Sequence, residues 1–193
     1  MNVNFDSETH TYTDDAGTEY PSVTTIIKEV WPVDTRFYRS TASDRGTAIH
    51  EMTALIDSGL ATIDDMVGEE QYIPIRSWCT FVDRMGGEFA AVEEPFIHPT
   101  LHYAGTIDRI LKTDGEVLLL DQKNGASAAW HELQLGAYAV GARDCLGIEP
   151  DRAFVVYVPK EGGHPKPVEV DIRFAMAAWE GLMRWKLYRR SFK

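Results

Sequence analysis

Between Gly105 and Gly125 two β-prone apolar runs, one around Ile107 and Ile110 and one at Leu118, Leu119 and Leu120, are broken by Thr113-Asp114-Gly115-Glu116. An Asp-Gly pair between such runs predicts a tight hairpin, because both central residues of the favoured turn need positive φ. A two-residue turn sets the register, placing position 113 opposite 116, 110 opposite 119 and 108 opposite 121. The pleat then points Asp121 and Lys123 to one face and Leu120 and Gln122 to the other.

The same patterning assigns the rest of the chain. Residues 3–20 read as a small N-terminal β-hairpin around Asp14-Asp15-Ala16-Gly17, covering an edge of the core. Ser22 caps a short helix with Val23, Ile26, Ile27 and Val30 on one face, stopped near Pro32. A longer helix over 42–58, capped near Thr41 or Ser43 and closed by Gly59, buries Ile49, Met52 and Ile56. A helix over 71–85 turns Tyr72, Ile75, Trp78, Cys79 and Val82 inward, and 89–98 follows as a strand. After the central hairpin come a helix over 129–146, a continuous apolar strand over 152–158, a short strand over 168–172 and a closing helix over 174–190. Strands and helices alternate, so the expected fold is α/β, a central mixed sheet flanked by helices.

With 193 residues the chain suits one domain with a full core. Cys79 and Cys145 have neither disulfide-framework nor zinc or iron–sulfur spacing, which fits a reducing cytoplasm. No apolar run is long enough to span a membrane, and no basic region followed by an apolar core marks a secretion signal. A net charge of −11 argues against a nucleic-acid partner at first sight. From Arg173 to Lys193, however, six basic residues face one acid, leaving about −16 on the first 172 residues. That basic C-terminal helix could meet a phosphate backbone, or be simply a solvated helix end.

Opposed carboxylates at 108 and 121 would have Cβ atoms about 5 Å apart. Their repulsion is about 3 kcal/mol at an effective dielectric near 20. A divalent cation between them would reverse its sign, and hard oxygen ligands suit magnesium or manganese. The plain alternative is a surface hairpin whose aspartates face water. His50, one position off the buried stripe of its helix and next to Glu51, could ligate a metal or hold a phosphate, or be structural. Arg45-Gly46, one turn earlier, offers a guanidinium and a close backbone approach to phosphate. Glu93 and Glu94 lie near the hairpin, and one of them, Glu94 for preference, is a further candidate ligand. Gln134 and Tyr138 are i, i+4 neighbours that could hydrogen-bond a nucleic-acid backbone or Lys123, or form an ordinary helix surface.

In order and spacing these pieces resemble the PD-(D/E)XK nuclease superfamily, and within it the RecB-like and phage-encoded exonuclease branch. The resemblance rests on His50 in Arg45-Gly46-Thr47-Ala48-Ile49-His50-Glu51, Asp108 in Gly105-Thr106-Ile107-Asp108, Asp121-Gln122-Lys123, and Gln134 with Tyr138, and it covers about residues 10–160. It implies a restriction-endonuclease-like core, with residues 1–21 as the N-terminal hairpin, 89–172 as catalytic sheet and helix, and 173–193 as the basic helix. It implies a Mg2+- or Mn2+-dependent deoxyribonuclease, exonuclease before endonuclease, in phage or bacterial DNA recombination, repair or processing. Asp108, Asp121, His50 and the Gln122 carbonyl would hold one or two ions, Lys123 would handle the attacking water, and Gln134, Tyr138 and Arg45 would position DNA. Glu51 and Glu94 are secondary candidates. Members with an iron–sulfur cluster carry four cysteines, so that cluster is excluded. The expected setting is the cytoplasm, that of the host if the chain is phage-encoded, with DNA and a recombination or replication protein as partners and no membrane. The competing expectation is an inactive nuclease-fold accessory protein that binds DNA or protein.

Overall fold

A computed structural model describes residues 2–6, 9–31 and 40–191, with the backbone alone for 40–45. The central sheet takes the expected mixed form. Five strands, β4 (Glu88–His98), β5 (Tyr103–Lys112), β6 (Val117–Lys123), β7 (Arg152–Tyr157) and β8 (Lys166–Val170), lie side by side in chain order. All neighbours are antiparallel except β6 and β7, which run parallel because α4 (Trp130–Gly141) carries the chain across between them. Among the described residues no helix is long and apolar enough to cross a membrane.

The turn at Asp114-Gly115 sets the predicted register, with Lys112 opposite Val117, Ile110 opposite Leu119 and Arg109 opposite Leu120. Gly115 has φ +118°, a conformation open to glycine. Alternation along β6 then divides the core. Leu119 faces a layer built from Leu135, Val155 and Trp179, whereas Leu118 and Leu120 face Trp78, Phe154 and Val156. The first layer is covered by α4, α1 (Val23–Val30) and α5 (Ile172–Arg190), the second by α3 (Tyr72–Met85). Trp179 and Trp78 are each fully buried, one on either face, and burial of a side chain that size contributes roughly 4 kcal/mol.

Several local expectations change. In the N-terminal segment β2 (Thr11–Thr13) and β3 (Glu19–Tyr20) form the expected hairpin, and β1 (Asn4–Asp6) adds a third antiparallel strand to it. Phe5 stacks on Tyr12, with ring centroids 4.6 Å apart, and so ties the extra strand on. This sheet packs Tyr12 and Tyr20 against Ile97 and Ala104 of the central sheet. The helix α2 runs from Ser40 to Asp57, so Thr41 and Ser43 lie inside it and neither is its cap. Ser22 does cap α1, accepting from the Thr25 amide at 3.1 Å. The strand expected over 168–172 is β8, which ends at Val170, because the Asp171 carboxylate accepts from the Phe174 amide and starts α5. The helix expected over 129–146 is α4 followed by one π turn, Ala142–Leu146, ending at a left-handed Gly147.

Candidate metal centre

Asp108 sits on β5 just beyond the last laddered pair, Arg109 with Leu120, and is buried. Its Oδ2 accepts from the Gln122 amide at 3.0 Å, a bond the carboxylate takes in place of a strand-to-strand carbonyl. The same oxygen lies 2.8 Å from His50 Nε2. His50 comes from the middle of α2, and its other nitrogen, Nδ1, lies 3.1 Å from Glu93 Oε1. The ligand atoms of His50, Glu93 and Asp108 all lie within 4.8 Å of one another.

A histidine with both ring nitrogens against carboxylates is a cation, since both must donate. Burial works against that charge, but Asp108 and Glu93 outweigh it and raise the His50 pKa to about 10. Burial likewise works against a charged Asp108, yet His50, with help from Lys123 and Arg109, holds its carboxyl well below the usual range.

Asp121 is fully buried, and the Lys123 ammonium lies 2.9 Å from its Oδ1 and 2.7 Å from its Oδ2. Burial pushes the Asp121 carboxyl up; Lys123 opposes the shift and the Asp108 charge adds to it. Asp121 therefore lies within electrostatic reach of Asp108 but outside the His50, Glu93 and Asp108 cluster. Burial disfavours the Lys123 charge, but Asp121 and then Asp108 override it and raise its pKa. Gln122 points to the opposite face, as the pleat predicts, where its Oε1 accepts from Thr53 of α2 at 2.8 Å.

On α4, Gln134 Nε2 donates to the Tyr138 hydroxyl at 2.8 Å. Both residues are buried, so neither belongs to an ordinary helix surface, and Gln134 Oε1 has no hydrogen-bond partner among the described residues. Burial, followed by the Asp108 and Asp121 charges, pushes the Tyr138 hydroxyl up. One turn earlier, His131 Nδ1 lies 2.9 Å from the Tyr157 hydroxyl, and Tyr157 is the β7 neighbour of Lys123. From the N-terminal sheet, Tyr12 makes a 2.9 Å hydroxyl bond to Thr106.

Asp108 with His50 and the Gln122 amide, the Asp121–Lys123 pair, and Tyr138 with its partner Gln134 thus lie around the middle of β5 and the C-terminal end of β6, while the Gln122 side chain points away. Glu51 and Glu94 do not join them: both are exposed or turned away from the cluster. Successive helical residues are turned about 100° apart, which carries Glu51 to solvent. Glu94 pairs in register with Ile107, whereas Glu93 has φ +48°, and it is Glu93 that reaches His50 and Arg109. The Arg45 side chain lies outside the described residues. Sequence patterning also passed over Arg109, Thr53, Asp57, His131 and Tyr157. For two of these a signal existed, since Thr53 and Asp57 stand at i+3 and i+7 from His50, on one helix face.

One nitrogen and two carboxylate ligands converging on a partly buried point are a donor set that could hold a metal ion. No protein-family model matches the chain, and no curated protein matches it. A solved crystal structure from Eubacterium rectale named "Putative exonuclease" is similar in fold, with a TM-score of 0.50 and 13% identity over 95% of this chain and 84% of that one. At that identity the likeness is one of fold.

Proposed function

We propose that the chain is a Mg2+- or Mn2+-dependent deoxyribonuclease of the PD-(D/E)XK superfamily, in its RecB-like and phage exonuclease branch, with exonuclease action favoured over endonuclease. The observation that carries this reading is the convergence of His50, Glu93 and Asp108 next to a buried Asp121–Lys123 ion pair. The fold likeness to the protein named "Putative exonuclease" supports it. Asp108, His50 and Glu93 would hold a cation, with Asp121 and the Gln122 carbonyl as the further ligands the resemblance implies. When bound, that cation would polarise the scissile phosphate and offset charge developing on it.

The chain's own groups supply the rest. Lys123 is protonated at neutral pH, which suits it to orient the attacking water and to neutralise developing negative charge, more than to abstract a proton. Gln134 would present a buried acceptor, and Tyr138 a neutral hydroxyl, toward the DNA strand. The role in recombination, repair or processing, the protein partner, the cytoplasmic setting and the single-domain organisation belong to the same proposal.

Linear, circular and single-stranded DNA, each incubated with Mn2+ and with a chelator, provide the test. Degradation of linear DNA that needs metal and spares circles is expected. Asp121→Ala and Lys123→Ala should each abolish it while circular dichroism stays unchanged. Undiminished activity in either variant sinks the assignment.

A further inference from the structure

Arg109 is fully buried and yet carries a charge. It follows Asp108 on β5, on the face that packs against α3, where its guanidinium lies 5.8 Å from the Trp78 ring centroid. Such a group is tolerated inside a protein only when its donors are matched, and here the partners come from four directions. Nε donates to Asp57 Oδ2 at 2.6 Å, and Nη1 donates to Glu93 Oε1 at 2.6 Å and to the Asp108 carbonyl at 2.7 Å. Nη2 reaches Thr53 Oγ1 at 3.3 Å, the same hydroxyl that donates toward Gln122 Oε1. Asp57 is fixed in turn by the Trp78 indole, which donates to Oδ2 at 2.9 Å.

This network touches the elements that would supply the metal ligands: α2 through Asp57 and Thr53, β4 through Glu93, β5 through Asp108, and β6 through Gln122. Glu93 is the member most in need of it. A non-glycine residue at φ +48° sits in a backbone conformation that must be held by its surroundings, and Arg109 keeps its partly exposed carboxylate from turning to solvent. The same Oε1 that Arg109 holds is the one facing His50.

We propose that Arg109 is a positioning residue that sets Glu93 as the third ligand of the centre, so that the metal site is complete only while the Asp57–Arg109–Glu93 chain is intact. This rests on the metal-centre reading above. The fork geometry is what matters, because a lysine keeps the charge but replaces directed hydrogen bonds to several partners with a point charge on a flexible stem.

The experiment is calorimetric titration of the full chain with Mn2+, run beside thermal unfolding. Removing a group that orients a ligand typically weakens metal binding about 10–100-fold, and Arg109→Lys should fall in that range. Glu93→Gln should weaken it similarly, and adding Arg109→Lys to Glu93→Gln should cost no more than about threefold further, because the first change acts through the second. Asp57→Asn, which disturbs Arg109 from the side away from the centre, should weaken Mn2+ binding as well; it serves as the test if Arg109→Lys does not fold. Unchanged affinity in a folded Arg109→Lys or Asp57→Asn protein, or full additivity with Glu93→Gln, overturns the inference while leaving the metal centre standing. Failure of the unaltered chain to bind Mn2+ overturns both.

Discussion

At the scale of single residues, the centre is an electrostatic balance in which a protonated imidazole occupies the position between two carboxylates that a cation would take. The folded-state pKa of His50, about 10, lies above its unfolded value near 6.5. The stability this contributes is therefore complete below about pH 6.5 and is lost as pH rises through about 10. Asp121, whose carboxyl burial pushes up, adds a slope of the same sign at lower pH. Asp108 works in the opposite sense, since a lowered carboxyl stabilises above its unfolded pKa and loses that contribution as pH falls. In the presence of a chelator, the thermal midpoint should fall steadily between about pH 7 and pH 9, and His50→Gln should flatten that decline. An equal slope in the variant would show that the imidazole is not charged as the geometry requires. Because metal must displace the His50 proton, Mn2+ binding should also release protons into a weakly buffered solution.

At the scale of elements, what could be read from the chain followed from periodicity and turn chemistry, and what escaped followed from departures from both. The Asp114-Gly115 turn and period-2 alternation were enough to place Arg109 opposite Leu120 and to separate Gln122 from Asp121 and Lys123. Register reasoning stopped working one residue later, because the Asp108 carboxylate takes the Gln122 amide and the two strands no longer ladder. Glu93 was harder to select over Glu94, since β4 shifts register between Phe89 and Ala91 and leaves its regular conformation at Glu93. Gly105, by contrast, acquires a physical reason. A Cβ there would stand 3.0 Å from Tyr138 Cε1, 3.1 Å from Val23 Cγ2 and 3.2 Å from Phe96 Cε1, so a larger residue would crowd the packing that holds Tyr138 over β5. Gly105→Ala should destabilise the fold by about 1–3 kcal/mol in chemical denaturation. A variant as stable as the original would mean that α4 can shift outward freely, and that Tyr138 is not held over β5 by packing.

At the scale of the whole molecule, the question is how a chain of net charge −11 could approach a polyanion. The described part of the basic segment answers in part. On α5, Trp185 is 51% exposed with the Arg189 guanidinium 4.9 Å over its ring, and Arg190 is exposed beside it. Lys186 is paired with Glu29 of α1, and together these residues and Val30 line a groove of about 260 Å³. Exposed aromatic faces interleaved with arginine are the kind of surface on which single strands stack, and they lie on a segment where positive charge outweighs negative. If DNA is the substrate, this segment should supply much of the electrostatic attraction that the acidic body withholds. The double variant Arg189→Glu/Arg190→Glu should then bind single-stranded DNA at least about tenfold more weakly at low salt. Its affinity should also depend less steeply on salt, by roughly 0.7 in log–log slope for each phosphate that the protein no longer neutralises. Mn2+ binding at the His50, Glu93 and Asp108 centre should be unaffected. Fluorescence anisotropy across a salt series separates the outcomes: a parallel salt slope with unchanged affinity would remove α5 from the DNA path and leave the groups around Gln134 and Tyr138 to hold the strand unaided.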